Sequence, residues 1–294
     1  MKASTRSTTG RVEEFHRIVF EWFAKHGRDL PWRRTTDPYA IALSEIMSQQ
    51  TQVDRVIPKW RAFLLAFPTW TDLADASTAD VIRLWQGLGY NRRAVMLHRL
   101  AKAVIDNGGE LPNDIDVMKE LPGIGDYTAN AIATFAFRNS NAAPVDTNIS
   151  RIFRRVFPRH QSDPKSIQRL AQSIAPIDTW TWNHALMDIG ALHCSSRGHV
   201  WGLCPLAPLH GSKEPKMALQ PLKKPLTPFK ETDRYFRGRI VDALRECPIT
   251  FKKLHSRSEL VNLDEVRFQT LISKLVNGGV VERRGNTVFL AGDR

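Results

Sequence analysis

Hydrophobic positions recur at helical spacing through most of the first 210 residues of the chain. Short breaks that contain Gly, Pro, Asp or Asn separate the periodic segments, and strand-like alternation is nearly absent. The pattern predicts an all-α structure for this part. The predicted helices are Val12–Phe23, Tyr39–Val53, Lys59–Phe67, Ala79–Trp85, Ala94–Ile105, Ile115–Leu121, Tyr127–Phe137, Ile149–Val156, Ile167–Ala175 and Trp182–Leu192.

The last third of the chain has a different texture. Between Pro205 and Glu231 prolines alternate with lysines, a composition typical of an extended, positively charged linker. After it, helical patterns precede two short strand-like runs around a Gly-Asn turn, which indicates a small winged-helix-like module. The helical patterns are Arg234–Cys247, Ser258–Leu263 and Asp264–Asn277, and the strand-like runs are Val280–Arg283 and Thr287–Leu290.

These changes divide the chain into four parts. We predict a disordered N-terminus over residues 1–10 and a helical domain over residues 11–212. A Pro/Lys-rich linker over residues 213–231 then leads to the winged-helix-like basic module over residues 232–294.

Charge narrows the class of partner. The 294 residues carry 42 Lys and Arg against 30 Asp and Glu, a net +12 that favours nucleic acid first and an anionic membrane surface second. Three cysteines exclude a disulfide framework and favour a reducing compartment. The chain has no apolar run of about 18 residues and no apolar stretch typical of a signal peptide near its start. We therefore expect a cytoplasmic protein that does not enter the membrane.

A glycine-rich turn separates two of the predicted helices. In the sequence Leu121-Pro122-Gly123-Ile124-Gly125, two glycines flank one apolar residue, which permits a tight hairpin with outward backbone N–H groups. The N-terminus of the next helix adds its positive dipole, so the hairpin is suited to hold one DNA phosphate without reading sequence. The alternative is an ordinary glycine turn between two helices.

Two carboxylates stand alone in segments that otherwise lack charge. Glu45 is the single charged residue between Tyr39 and Val53, and burial on such a helix would let it stay protonated and act as a general acid. Asp146 follows an extended Pro-Val pair and precedes a helix. The alternatives are an exposed helical Glu and a helix-capping Asp. Facing each other, the two would form an acid and an anion suited to cleave an N-glycosidic bond of a flipped-out base.

Several longer segments carry a family resemblance over about residues 11–210. They resemble the helix-hairpin-helix DNA glycosylases, specifically the MutY-type adenine DNA glycosylases. The resemblance implies a fold of two helical lobes with a cleft and excision of adenine mispaired with 8-oxoguanine or guanine in duplex DNA. The segments are LPWRRTTDPYAIALSEIMSQQTQVDRVIP, LWQGLGYNRRAVMLHRLA, LPGIGDYTANAIA, PVDTNISRIFRR and ALMDIGALHC.

The resemblance also implies residue roles. Glu45 corresponds to the acid that protonates adenine N7, and Asp146 to the carboxylate that stabilises the sugar cation, with Tyr127 and Asn148 in support. Because Tyr127 stands where bifunctional relatives have a Schiff-base lysine, we expect a monofunctional enzyme. The adenine pocket falls at Arg28, Trp32, Arg33 and Asp188, the duplex-inserting positions at Gln50 and Tyr90, and further DNA contacts at Leu121, Gly123, Ile124, Gly125 and Arg197.

The chain departs from the family pattern at two places. The family binds a [4Fe–4S] cluster through four cysteines, and the corresponding positions here are Cys194, Trp201, Cys204 and His210. We therefore expect a clusterless variant without a cofactor; a zinc site of Cys194, Cys204 and His210 with His193 or His199 is the alternative on residue type. The C-terminal module is too short for the family's Nudix-like domain and resembles the tail of actinobacterial members.

We expect a monomer that acts on duplex DNA with A:8-oxoguanine or A:G mispairs, near the nucleoid of a bacterial cell. Two other functions stay open at this point. One is a thymine glycosylase for T:G mismatches, and the other is a non-catalytic, structure-specific DNA-binding protein.

Overall fold

The computed structural model describes residues 8–158, 163–194, 203–210 and 227–293. The helices are α1 (Thr8–His26), α2 (Pro38–Ser48), α3 (Val53–Ala66), α4 (Trp70–Asp75), α5 (Thr78–Leu84), α6 (Arg92–Asp106), α7 (Ile115–Lys119), α8 (Asp126–Phe135), α9 (Thr147–Val156), α10 (Pro164–Ser173), α11 (Thr179–Leu192), α12 (Asp233–Leu244), α13 (Phe251–His255) and α14 (Glu265–Asn277). The strands are β1 (Ile249–Thr250), β2 (Val281–Arg284) and β3 (Thr287–Leu290). Short 3₁₀ turns are formed by Pro31–Arg34, Ala207–Leu209 and Phe229–Glu231.

The chain forms two compact units, each discontinuous in sequence. The first unit takes the described residues of Met1–Ile41, Asn113–Lys119 and Ile124–Pro221. The second unit takes those of Ala42–Pro112, Glu120–Gly123 and Leu222–Arg294. The C-terminal module therefore belongs to the same compact unit as helices α3–α6.

The core of the first unit is built from α1, α9, α10 and α11. Helix α9 buries Ile149, Ile152, Phe153 and Val156, whose spacing of three and four residues places them on one helix face. The rings of Phe15 and Trp182 meet edge to face with centroids 4.9 Å apart, and both side chains are fully buried. Each such large side chain contributes about 1.5–3 kcal/mol through burial.

In the second unit, α4 and α5 pack on α6. The core includes Phe63 from α3, whose ring lies 5.8 Å from that of Trp85 at the end of α5. The Trp85 indole Nε1–H donates a hydrogen bond of 3.0 Å to the Gly89 carbonyl. This bond ties the buried tryptophan to the loop that precedes α6.

The C-terminal module consists of α12, α13, α14 and a three-stranded antiparallel sheet in the order β1-β3-β2. The register pairs Val281 with Leu290 and Ile249 with Val288. Helices that precede a β-hairpin in this way confirm the expected winged-helix-like architecture beside an all-α body. The sequence pattern did not predict β1, because two residues are too short to show alternation.

Several predicted boundaries need correction. The periodic segment Tyr39–Val53 is not one helix: α2 ends at Ser48, Gln50 has a φ of 54°, and α3 begins at Val53. The predicted helix Ser258–Leu263 is wrong, because this segment forms turns.

Two further corrections concern the start of the chain and a missed helix. Residues 8–10, predicted as disordered, are already part of α1. Helix α4 was missed because it has only six residues, although Thr69 and Asp72 form a capping box that marks its start. Residues 213–226 of the predicted linker lie outside the described residues.

Among the described residues, we find no helix with the length and hydropathy needed to cross a membrane.

Candidate active site and DNA interface

Glu45 lies on α2 in the second unit and is only 6% exposed. Every residue from Tyr39 to Met47 is buried, so the exposed-helix alternative for Glu45 does not hold. The helix begins where the Asp37 carboxylate accepts hydrogen bonds from the N–H groups of Tyr39 and Ala40. The burial of Glu45 confirms the setting that its isolation among uncharged residues predicted.

The end of α2 is held by a distant arginine. The Arg93 guanidinium donates hydrogen bonds of 2.9 Å to the carbonyl groups of Ile46 and Met47. It also donates to the Thr51 hydroxyl at 2.9 Å. Arg93 thus satisfies carbonyl groups that a further helical turn would otherwise bind, and the chain leaves the helix after Ser48.

Asp146 is the N-cap of α9 in the first unit. Its Oδ1 accepts a 2.7 Å hydrogen bond from the Ile149 N–H, and its Oδ2 accepts a 3.0 Å bond from the Asn148 amide. Burial raises the pKa of Asp146, while the hydrogen bonds from Ile149 and Asn148 act in the opposite direction. Asp146 is therefore both a helix cap and a desolvated carboxyl group.

Asn148 is fixed from three sides. Its side-chain oxygen accepts a hydrogen bond from Arg151, whose Nε also donates to the Cys194 carbonyl at 2.9 Å. A Cβ placed on Gly190 of α11 would lie 2.7 Å from the Asn148 Cβ, so only glycine permits this approach. These contacts orient the amide that holds Asp146.

Asp188, on α11, is fully buried and meets two arginines. The Arg28 Nε and Arg33 Nη2 groups donate to Oδ1 at 2.7 and 2.8 Å. Oδ2 accepts from the Arg28 backbone N–H and from Arg33 Nη1, both at 2.9 Å. Burial alone would raise the pKa of Asp188, but the two arginines outweigh it, and the net shift is downward. The structure thus joins three of the four predicted adenine-pocket residues.

Trp32, the fourth predicted pocket residue, is buried and lies in the 3₁₀ turn Pro31–Arg34. His184, which the sequence did not single out, lies one helix turn before Asp188, and its ring stacks on that of Phe135 with centroids 4.1 Å apart. Burial, helped by the charge of Arg33, lowers the pKa of His184 well below its usual value. A histidine spaced four residues from Asp188 was the available signal.

The glycine-rich turn between α7 and α8 has the predicted hairpin character. Gly123 has a φ of 81°, and a Cβ placed on it would lie 3.0 Å from the Met96 Cβ. Gly125 is the N-cap of α8 and is exposed, as is Gly123, whereas Ile124 is buried and anchors the turn. Leu121 is half-buried. Gly125 has no side chain that could cap α8. The backbone N–H groups at the exposed start of this helix are therefore suited to an approaching phosphate.

Gln50 and Tyr90 share an unusual backbone conformation in the second unit. Their φ angles are 54° and 47°, in the left-handed region that non-glycine residues rarely adopt. Gly87 and Gly89 beside Tyr90 also have positive φ. Both side chains are exposed at the tips of tight turns. Strained, exposed positions of this kind are typical of residues that contact a ligand.

Comparison with known proteins identifies the family. The sequence model of the HhH-GPD superfamily of base excision DNA repair proteins matches residues 43–176. The adenine DNA glycosylase of Mycolicibacterium smegmatis is 35% identical and is aligned over 94% of this chain and 95% of that protein. The adenine DNA glycosylase of Mycobacterium tuberculosis strain H37Rv is 38% identical over 84% of each chain.

The chain belongs to the adenine DNA glycosylase family.

Solved structures support the helix-hairpin-helix glycosylase fold. A thermostable thymine-DNA glycosylase is 28% identical, with a TM-score of 0.66 over 70% of this chain and 98% of that one. Endonuclease III, in a trapped covalent complex with DNA, is 23% identical, with a TM-score of 0.62 over 70% and 97% of the two chains, and supports the fold. The protein is a helix-hairpin-helix DNA glycosylase of base excision repair.

Two of the four positions at which the resemblance implies cluster ligands, Cys194 and Cys204, lie in an apolar core. Cys194 and Cys204 are buried among core side chains of the first unit, near Leu206 and Leu209. Burial raises the pKa of both thiols, although Arg155 donates to the Cys194 Sγ at 2.6 Å. Two protonated thiols in an apolar cluster do not fit a group that needs four thiolates.

The alternative zinc site of Cys194, Cys204 and His210 has no support from the residues that the structure describes. No group of three or more His, Cys, Asp or Glu with metal-binding geometry occurs among the residues that the structure describes. Trp201, His199 and the predicted DNA contact Arg197 lie outside the residues that the structure describes.

Tyr127 stands at the position of the Schiff-base lysine of bifunctional relatives. Its side chain is half-buried, and its hydroxyl lies 4.0 Å from the Met187 Sδ.

Proposed function

We propose that this protein is a monofunctional glycosylase that removes adenine mispaired with 8-oxoguanine or guanine in duplex DNA. The observation that carries the proposal is the pair of carboxyl groups in unlike surroundings. Glu45 is buried on an apolar helix, and Asp146 is desolvated and held by the N–H groups of α9 and Asn148. Relatives named adenine DNA glycosylase, with up to 95% of their length covered, support adenine as the base.

In the proposed reaction, neutral Glu45 donates its proton to adenine N7. The C1′–N9 bond breaks, its electron pair passes to the purine, and positive charge develops on the sugar. Ionised Asp146 stabilises that cation, and its effect is large because few water molecules screen it. Water then attacks C1′, and the Glu45 carboxylate takes up the released proton. The products are free adenine and an abasic site.

We assign Asp188 and its two arginines to the shape of the adenine pocket. Arg33 is held by three hydrogen bonds, two to Asp188 and one to the Arg28 carbonyl, which fix the direction of its guanidinium. Its Nε is buried and has no hydrogen-bond partner within the described residues. A buried donor without a partner is costly, so it offers a hydrogen bond to an incoming base.

A Glu45→Gln protein tests the acid. Gln has nearly the same shape but cannot give up a proton, so we expect single-turnover adenine release to fall by about 10²–10⁴-fold while DNA binding persists. Glu110→Gln is the matched control, because Glu110 is exposed in the loop after α6. Excision by Glu45→Gln at nearly the wild-type rate would remove Glu45 from the chemistry.

An Asp146→Asn protein tests the anion without unfolding α9. Asn is as good an N-cap as Asp, so the capping bond to Ile149 should be preserved, whereas the bond from the Asn148 amide is lost because the new NH₂ group faces another donor. The free energy of unfolding is therefore measured beside the rate. We expect a loss of about 10²–10³-fold in single-turnover excision, the size typical for removing one electrostatic stabiliser. An unchanged rate would leave Asp146 with the capping role alone.

The similarity to a thermostable thymine-DNA glycosylase keeps thymine excision from T:G mismatches as a second candidate. Tyr127 is compatible with both candidates, since neither needs a Schiff-base lysine. The two are separated by the identity of the released base.

We further propose that the protein works as a clusterless monomer on DNA in the bacterial cytoplasm, at the nucleoid. The apolar packing of Cys194 and Cys204 supports the clusterless state. The bacterial origin of the relatives with the highest coverage supports the location. Iron and sulfide analysis of the purified protein tests the first of these, and one cluster per chain would contradict it.

A further inference from the structure

A groove in the second unit is lined by residues between Ile46 and Gly123, here called the helical lobe, and by residues between Phe229 and Val280. Its volume is about 1170 Å³, more than one base would need. The lobe contributes the turns that carry Gln50 and Tyr90, and also Gly123 of the hairpin. Phe229, just before the module, also lines the groove, and the module contributes residues along α12 from Arg234 to Asp242, Arg245 after it, and the end of α14.

The lining is strongly basic. Eight of the lining side chains are cationic. Asp242 is the one carboxylate in the lining. Asp242 is already paired with Arg239 and Arg245. The eight are Arg55, Arg92, Arg93, Arg234, Arg237, Arg239, Arg245 and Lys274. This excess is the electrostatic signature of a site for a polyanion.

Three of these cations are available to a ligand. Within the described parts of the chain, Arg55, Arg92 and Arg237 make no hydrogen bond or ion pair through their side chains. By contrast, Arg93 and Arg245 hold structural carbonyl groups. Burial lowers the pKa of Arg93 to about 10, and the nearby charge of Arg234 acts in the same direction. The groove thus gathers positive charge without matching carboxylates.

Aromatic side chains lie between the cations. Tyr90 is 38% exposed and Phe229 is 59% exposed, and both line the groove. A lining that combines cations with exposed aromatic rings is typical of surfaces that hold a nucleic-acid strand. The cations bind its phosphates, and the rings stack on its bases. A small anionic metabolite would not need this length of lining.

The module also touches Tyr90 directly. The Arg234 guanidinium, from the first turn of α12, lies 3.9 Å from the centroid of the Tyr90 ring. The Arg93 guanidinium lies 5.8 Å from the same centroid. Two cations therefore hold the ring of a residue whose own backbone is in a strained conformation.

The module is attached to the lobe by contacts apart from Arg234. Arg245 donates to the Ile82 carbonyl at 2.9 Å and to the Asn91 side chain at 3.0 Å. Arg83 makes two 2.7 Å bonds to the Asp293 carboxylate. The loss of Arg234 should therefore leave the module docked, which makes the contact with Tyr90 testable by substitution.

We propose that this groove binds a DNA strand through its phosphates, with Arg92 and Arg237 as phosphate contacts and Arg234 as a positioning residue for Tyr90. The proposal rests on the DNA glycosylase function and gives the C-terminal module a share in holding the DNA at the inserted side chains. It requires no chemistry from the module itself.

The phosphate contacts are tested on the full-length protein with a fluorescently labelled mismatched duplex. Binding is measured by anisotropy between about 50 and 200 mM salt. Each phosphate contact adds about −0.9 to the slope of log K against log salt, so Arg92→Ala/Arg237→Ala should reduce the magnitude of the slope by about 1.8. The matched control is Arg61→Ala/Arg257→Ala, which removes the same charge at exposed positions outside the groove. Equal slopes for the two double variants would overturn the proposal.

The positioning role of Arg234 is tested by a double-mutant cycle with Tyr90. We expect Arg234→Ala to weaken binding to the mismatched duplex about two- to fivefold through loss of the ring contact, in addition to any loss of charge. Arg234→Lys keeps a cation that can lie over the ring, so it should weaken binding less than Arg234→Ala does. In a Tyr90→Ala background the two variants should lose the part of the effect that depends on the ring. Equal effects with and without the Tyr90 ring would overturn the positioning role.

The outcomes separate the groove from the proposed substrate. Unchanged salt slopes in a protein that releases adenine would remove the groove and keep the adenine assignment. Lowered slopes in a protein that releases no adenine would keep the groove and remove that assignment.

Discussion

Replacing Asp188 with Asn removes the carboxylate on which two guanidinium groups converge in the first unit. Asp188 is 0% exposed and the Arg33 side chain is 6% exposed, so the pair is shielded from water. Whichever way the amide turns, its NH₂ group faces arginine donors. Breaking a buried pair by removing one partner costs about 3–5 kcal/mol, and we expect this range for the free energy of unfolding.

The assay is urea unfolding followed by circular dichroism and tryptophan fluorescence. Asp106→Asn, at the exposed end of α6, is the control and should change the unfolding free energy by less than about 0.5 kcal/mol. Combining Asp188→Asn with Arg33→Met should cost less than the sum of the single changes, because the uncompensated charge is removed. A cost below about 1 kcal/mol, typical of a surface pair, would refute the buried arrangement.

The same pair predicts a pH dependence. Because the pKa of Asp188 is lowered in the folded protein, its contribution is complete above the ordinary carboxyl pKa of about 3.9. The contribution is lost as the pH falls through the lower folded value. The stability difference between the wild-type protein and Asp188→Asn should therefore be constant near neutral pH and shrink below about pH 4.

Two further predictions concern the hairpin and the thiols. Gly123→Ala should destabilise the protein by more than about 1 kcal/mol in urea unfolding, since the residue has a φ of 81° and Met96 lies close to it. Gly238→Ala in α12 should instead stabilise the protein by about 0.5–1 kcal/mol. Equal effects of the two changes would contradict the strained hairpin. In native protein a disulfide reagent should modify the exposed Cys247 rapidly and the buried Cys194 and Cys204 only after unfolding, and three fast thiols would contradict their burial.

The helical body could be predicted from the sequence because its core faces follow the helical period closely. Ile149, Ile152, Phe153 and Val156 illustrate this. The break after α2 could not be predicted in the same way. The segment Ser48–Gln52 contains no Gly or Pro, and the helix ends because Arg93, more than 40 residues away, binds its terminal carbonyl groups. Such an ending is a tertiary effect that periodicity cannot reveal.

The candidate site was predictable in part. The isolation of Glu45 among apolar residues indicated its burial, and the structure bears this out. The two readings of Asp146, as a helix cap and as a desolvated carboxyl group, are compatible, because one oxygen caps α9 and the other binds Asn148. Asp188 meets arginines that precede it by 155 and 160 residues, and only the family resemblance grouped them.

The place of the C-terminal module was outside the reach of sequence reasoning. Its fold, apart from β1 and the turns at Ser258–Leu263, followed from the pattern of helices and strands. Its attachment depends on Arg245 and Asp293 meeting residues of α5 and the following loop. Contacts of this kind join segments more than 150 residues apart and leave no local signal.

Base release by the wild-type protein from a panel of mismatched duplexes tests the central claim most directly. The panel pairs adenine with 8-oxoguanine, guanine or thymine, adds a T:G duplex, and is read under single-turnover conditions by chromatography of the free base. We predict adenine release from the A:8-oxoguanine and A:G duplexes, with little release from A:T and no thymine from T:G. Release of thymine from T:G with adenine left in place, or release of no base from any duplex, would contradict the account.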